Sequence, residues 1–272
     1  MADKNRYGLS RHIPSAITLE LRQKYGFGCI ICGDGIITYE HVEPTFSEAR
    51  EHNPEHMTLL CGTHQQMSTA GSLSKDTIFY YMNNPKCLED GFSLNRFDLG
   101  RTHPQIILGT LEFNKTQDIL TVSGEPILTI KKSEQKHSPF LLSAKFHSQD
   151  GTEIFVVENN VWKNPTTNWD AEMKRREVKI RRKSRDIQLL IEVQPPHTLL
   201  VKTLKAYYKG IEISCSNGKP FSVRLPDGRY VEVTDSQMSR CTKALDISHS
   251  GINLEGCQEA RFSKLSLSSI RR

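Results

Sequence analysis

Four side chains, Cys29, Cys32, Cys61 and His64, constrain the fold of this chain more than any other feature of its sequence. Cys29 and Cys32 sit in "GCIICGDG", a CxxC whose neighbouring glycines let the backbone turn tightly enough for both sulfurs to face one point. Cys61 and His64, in "LLCGTHQQMSTAG", repeat the two-residue spacer after a gap running from residue 33 to residue 60. Two such knuckles offer three thiolates and an imidazole, a tetrahedral donor set that zinc prefers. Four protein ligands leave no open coordination position, so the expected ion is a structural staple. The segment between the knuckles must therefore double back on itself.

Cysteine number supports this reading. There are seven, an odd count that argues against a disulfide framework and for metal ligation with reduced thiols in a cytosol. Cys87, Cys215, Cys241 and Cys257 show no ligand spacing and read as buried thiols. Apolar residues make up 37% and charged residues 25%, as in a folded soluble protein. No run approaches the roughly 18 to 20 apolar residues of a membrane span, and "MADKNRYGLSRHIPSAI" has no apolar leader. A cytoplasmic protein with no membrane association is expected. The net charge of +5 permits a polyanionic partner without requiring one.

Two textures divide the chain, at about residue 100. In the first, "SAITLELRQKYG" spaces Ile17, Leu21 and Tyr25 for one helix face, with Ser15 as N-cap and Gly26 as stop. "GIITYEHVEP" (35–44) is β-prone and closes at Pro44, and a short helix is expected from about Asn53 or Thr58 onward. "LSKDTIFYYMNNP" reads as a helix capped by Ser74 and ended before Pro85. "GFSLNRFDLGRTHP" (91–104) reads as the junction. Beyond it, runs such as "PILTIKK", "EIFVVE", "DIQLLIEV" and "GIEISCSNG" alternate between turn residues, which predicts an all-β domain over 101–272, a sandwich or a solenoid. "SNGKP" and "PDGR" are hairpin-turn signals. The tail from about 235 is Ser-rich and weakly patterned.

Between the knuckles lie "YEHVEP" and "EHNPEHMTLL". A carboxylate beside an imidazole, Glu40–His41, suits metal-assisted phosphodiester hydrolysis: the acid helps hold a divalent ion and the neutral imidazole takes a proton from water. With "IPSAITLELRQKYGFGCIICG", "LLCG" and "STAGSLSKDTI", this layout resembles the HNH endonuclease family over roughly residues 10–100, and bacterial HNH proteins in particular. The resemblance implies an α+β architecture: a small zinc-stapled ββα-metal domain over 1–100, followed by the β-rich domain. It implies cleavage of DNA, or alternatively RNA, with structural zinc on Cys29, Cys32, Cys61 and His64. It makes Glu40 a ligand of a catalytic Mg²⁺ or Mn²⁺ and His41 the general base. His56 falls on the middle position, usually Asn, where an imidazole can join the metal shell. Family analogy also suggests a setting in bacterial defence or mobile elements.

One departure stands out. The last family histidine follows the fourth zinc ligand, and here that position is Gln65, whose amide oxygen suits a hard ion such as magnesium. Making His64 the catalytic residue instead leaves zinc one ligand short. Gln65 thus sets up a rival reading, an HNH fold that has lost cleavage and binds nucleic acid or protein. In the second domain, "KRREVKIRRKSR" (174–185) presents Lys179, Arg181, Arg182 and Lys183 as candidate contacts to a nucleic-acid backbone, with Val178 and Ile180 pointing inward. The competing reading is a solvated strand protected by charge. Trp162 and Trp169 are either base-stacking platforms or β-core residues, the second being commoner.

Overall fold

The computed structural model describes residues 4–174, 176–261 and 264–269. The protein is mostly β and divides into two compact units, Met1–Asn95 with Lys163–Arg175, and Arg96–Trp162 with Arg176–Arg272. No helix among the described residues is long and apolar enough to cross a membrane.

The first unit begins with helix α1 (Ser15–Tyr25). Ser15 does not cap it: Pro14 occupies the N-cap position and no side chain accepts a capping bond there. Proline's fixed φ starts the turn without needing a cap. Gly26 ends it as expected, at φ 74° in the left-handed region. Leu21 and Tyr25 are buried, and the Tyr25 hydroxyl donates to the carbonyl of Met57 at 3.0 Å.

Strand β1 (Ile37–His41) pairs antiparallel with β2 (Met57–Cys61), Ile37 opposite Cys61 and His41 opposite Met57. The helix expected from Asn53 or Thr58 is instead a single 3₁₀ turn, Pro54–His56, leading into β2. All five residues of β2 are buried, so "MTLLC" carries no alternation that separates strand from helix. Helix α2 (Gly62–Thr69) follows at once, completing a strand, strand, helix order. Helix α3 (Lys75–Asn83) is capped by Ser74, whose hydroxyl accepts from the Thr77 amide.

Residues 163–175 return to this unit and fasten onto α1. Asp170 accepts from Arg22 Nε at 2.8 Å and from Nη2 at 3.2 Å, while Arg22 Nη1 donates to the Tyr39 hydroxyl at 2.6 Å. Both charged side chains are buried, 7% and 2% exposed. Gly28 is needed where it stands, because a Cβ there would lie 2.6 Å from the Cys87 sulfur. Trp169, half-buried, receives the Gln23 side-chain amide on its carbonyl.

The second unit holds two large mixed β-sheets, neither closed. One runs in spatial order through Gly251–Glu255, Lys243–Ser248, Asp118–Val122, Glu125–Lys131, Leu141–His147 and Glu153–Glu158. The other runs through Glu259–Arg261, Ser236–Ser239, Leu111–Asn114, Gln105–Leu108, Thr198–Tyr208, Ile211–Ser216, Phe221–Arg224, Arg229–Thr234 and Lys264–Ser269. The Ser-rich tail thus supplies strands to both. "SNGKP" and "PDGR" fall between paired strands, with Gly218 and Gly228 at φ 68° and 86°. Other two-residue turns lacked so plain a signal: Ser123–Gly124, Asn159–Asn160 and Lys209–Gly210 all have both residues at positive φ, the backbone a tight hairpin requires.

Parallel pairing gives the unit its regularity. Leu111–Asn114 pairs with Ser236–Ser239, and Asp118–Val122 with Lys243–Ser248, Leu111 opposite Ser236 and Asp118 opposite Lys243. The intervening corners match as well, with Lys115 at φ 51° and Arg240 at φ 53°. Trp162 lies in the core against Phe97 and Phe155, not on a stacking surface. Cys241 and Cys257 correct the expectation of buried thiols, for they form a disulfide across a sequence separation of 16. Spacing alone does not reveal such a pair, because it is set by the hairpin of Lys243–Ser248 and Gly251–Glu255, whose open ends carry the two cysteines. Cys87 and Cys215 are free and buried, and burial pushes each thiol up to about 12.

Candidate metal centre and active site

The two knuckles meet. The donor atoms of Cys29, Cys32, Cys61 and His64 all lie within 4.8 Å of one another. The first is a turn closed by the Gly33 amide onto the Cys29 carbonyl, with Gly33 at φ 77°. It is tied to β2 by a bond from the Ile30 amide to the Leu59 carbonyl. Cys61 ends β2 and His64 lies in the first turn of α2, so strand and helix together aim the second pair.

Distances favour a tetrahedral ion. Zinc bonds of about 2.3 Å to sulfur and about 2.0 Å to nitrogen place sulfurs roughly 3.8 Å apart, and sulfur and nitrogen about 3.5 Å apart. Cys32 Sγ and Cys61 Sγ are separated by 3.8 Å, and His64 Nδ1 lies 3.4 Å from Cys29 Sγ and 3.2 Å from Cys61 Sγ. The Cys29 thiol is lowered to about 5, chiefly because Cys32 donates a hydrogen bond to its thiolate, and burial opposes this. Cys32 is pushed up by that shared hydrogen bond and by burial, and Cys61 by burial. Thiolates packed so closely repel one another, and a bound cation offsets that repulsion. The donors fit a metal such as zinc.

The hairpin sorts the remaining candidates onto two faces. Thr38 and Glu40 turn towards α2. Gln65 Nε2 donates to Glu40 Oε2 at 2.8 Å, and its Oε1 lies 3.2 Å from the Thr38 hydroxyl. Burial pushes the Glu40 carboxyl up, and the bond from Gln65 opposes it. Gln65 thus presents its N–H, and not its oxygen, to the carboxylate.

His41 faces the other way. It is 7% exposed, and its Nε2 lies 3.1 Å from His52 Nδ1. His52 Nε2 in turn lies 2.9 Å from the carbonyl of Ser10. A carbonyl only accepts, so His52 donates through Nε2 and a neutral His52 accepts through Nδ1. His41 must then donate through Nε2, which leaves its lone pair on Nδ1. Burial is the main cause that lowers His41 to about 4, so it is neutral at neutral pH. His41 and His56 both line a cleft of about 500 Å³ that also involves Glu48, Arg50 and Glu51.

Among the described residues no second group of three or more His, Cys, Asp or Glu donors gathers as the first does. Glu40 contacts Gln65, while His56 shares the cleft of His41. Nothing therefore supports a second, catalytic ion in the way the Cys₃His group supports zinc. On the strand Glu177–Lys183, Val178 and Ile180 are buried as expected, but the cations there have acids to hand. Lys179 is 3.3 Å from Glu177, and Arg182 bonds Asp186 through two nitrogens. Arg181 is half-buried and Lys183 exposed. Residue patterns set His52 apart only by its place between the knuckles, gave it no role beside His41, and missed the Ser10 carbonyl; a histidine 11 positions from its partner carries no local signal of that pairing.

No protein-family model matches the chain, and neither curated proteins nor solved structures give a match.

Proposed function

We propose that the first unit is a zinc-stapled, HNH-type endonuclease that hydrolyses phosphodiester bonds in nucleic acid, with DNA as the favoured substrate. The observation that carries this reading is His41, a neutral imidazole with its tautomer fixed, bordering a cleft at one end of a hairpin. The Cys₃His group closes the opposite end, beside Cys61.

In this reading His41 Nδ1 takes a proton from water as the water oxygen bonds to phosphorus. The phosphorus–oxygen bond to the leaving nucleoside then breaks, and the departing oxygen is protonated from solvent. The family resemblance assigns Glu40 and His56 to a divalent ion, Mg²⁺ or Mn²⁺, with Gln65 completing its shell, but Glu40 and Gln65 face α2 while His56 lines the cleft of His41, so these residues do not fit one shared ion as they stand. An ion held on the cleft side by His56 would neutralise charge at the phosphate.

The bond from Gln65 to Glu40 favours a second reading, in which the carboxylate is committed to the protein and the unit binds without cutting. A plasmid-nicking assay with Mg²⁺, Mn²⁺ or Ni²⁺ separates the two. Nicking by the wild type that falls by about 10² to 10⁴ in His41→Ala supports the nuclease. A wild type inert with every ion leaves only the binding module, and equal cutting by His41→Ala removes His41 from the role of base.

A further inference from the structure

At the edge of the His41 cleft three arginines lie over aromatic rings. Arg6 and Arg50 place their guanidinium carbons 4.8 Å and 4.9 Å from the centroid of the Tyr7 ring, and Arg11 lies 4.5 Å from that of Phe46. Phe46 is itself 5.5 Å, centroid to centroid, from the His41 ring, and Arg50 lines the cleft together with His41. All three arginines are exposed, as is Tyr7 at 47%.

This rim is built, not incidental. Asn5 satisfies its whole side chain in holding it. Its Nδ2 donates to the carbonyls of Phe46 and Ala49, at 2.6 Å and 2.7 Å, and its Oδ1 accepts from the amides of Tyr7 and Leu9. The turn that carries Arg6 and Tyr7 is thereby pinned to the loop that carries Phe46 and Arg50. Among the described residues neither Arg6 nor Arg50 has a carboxylate partner, unlike Lys179 and Arg182 of the basic strand.

We infer that this rim is the subsite that grips the phosphate backbone of a nucleic-acid strand and lays it across the His41 cleft. A guanidinium stacked on a ring has lost much of its rotamer freedom before binding, and its in-plane N–H edge stays open for two parallel bonds to a phosphate. Carboxylates Glu48 and Glu51 in the cleft keep the anionic strand on the arginine side. The inference rests on the nuclease reading for its substrate class. It moves the nucleic-acid contacts from residues 179–183 to Arg6, Arg11 and Arg50.

Binding is measured without cleavage, by fluorescence anisotropy of labelled single-stranded DNA, duplex DNA and RNA in buffer with no added divalent ion, over a series of salt concentrations. The double variant Arg6→Ala/Arg50→Ala is expected to weaken binding. It should also reduce the slope of log affinity against log salt by about 0.9 per arginine on duplex, or about 0.7 on a single strand. Arg6→Lys/Arg50→Lys keeps the charge and should recover the slope but not the full affinity. Zinc content and melting temperature of each variant show that the fold is intact. The rim is overturned if the double variant binds like wild type with the same slope, or if wild type binds none of the three probes. It is overturned equally if Lys179→Ala/Arg182→Ala/Lys183→Ala removes the salt dependence that the rim variant keeps. Rim-dependent binding by a wild type that nicks with no metal refutes the cleavage chemistry and leaves the rim standing.

Discussion

Replacing Asp170 with alanine leaves Arg22 charged, 7% exposed and without its carboxylate. The pair is bidentate, at 2.8 Å and 3.2 Å, and is shared with the Tyr39 hydroxyl. A buried charge stripped of its partner typically costs about 3 to 5 kcal/mol, because its desolvation is no longer offset. For a unit of about a hundred residues, each kcal/mol lowers the melting temperature by at least about 4 °C. Asp170→Ala should therefore lower the melting temperature of the first unit by at least about 12 °C, followed by zinc release or by near-ultraviolet circular dichroism. Removing both charges, Asp170→Ala with Arg22→Met, should recover much of the loss, since no ion is then left unpaired. A cost below about 1 kcal/mol for Asp170→Ala would place the pair in the solvent-screened class and refute the argument. The same logic applies to a fragment ending at residue 100, which lacks Asp170 and keeps Arg22.

Purified protein should carry about one tightly held zinc per chain, and Cys61→Ser should release it and abolish protection of residues 15–83 in hydrogen exchange while strands of the second unit stay protected. Metal content far below one, or a variant that exchanges like wild type, removes the staple. Nitrogen-15 spectra of the wild type should show both His41 and His52 protonated on Nε2, and His52→Phe should leave His41 a mixture of tautomers. A wild-type His41 protonated on Nδ1 contradicts the relay from Ser10.

Legibility followed the range of each interaction. Gly26 and Ser74 act within one helical turn, and both were plain in the sequence. So were the knuckles, whose spacer is the bite of a metal and needs no knowledge of the rest. Strand β2 was not, because burial on every side erases the period that names a strand. The disulfide between Cys241 and Cys257 joins the two open ends of one hairpin, Lys243–Ser248 paired with Gly251–Glu255, in a weakly patterned tail where that hairpin carried no clear signal. In the candidate site Glu40 and His41 stand out as neighbours in sequence, yet alternation along β1 sends them to opposite faces. Each acquires its surroundings, Gln65 in one case and His52 in the other, from a different element. Asn5 is a stronger instance: its partners lie 41 and 44 residues away, and no composition rule marks it.

The matched corners of the second unit limit how its sequence can change length. Strands Leu111–Asn114 and Asp118–Val122 stack on Ser236–Ser239 and Lys243–Ser248 with one shared register, through corners at Lys115 and Arg240. A residue gained or lost within 115–117 shifts one strand of the pair by one place and exchanges its inward and outward faces, unless 240–242 changes in step. Between 123 and 235 no such coupling applies, since additional residues there leave both corners aligned. Descendants of this chain are therefore expected to vary in length through the middle of the unit and to hold the two corners equal, with substitutions at stacked positions such as Thr121 and Asp246 arising together.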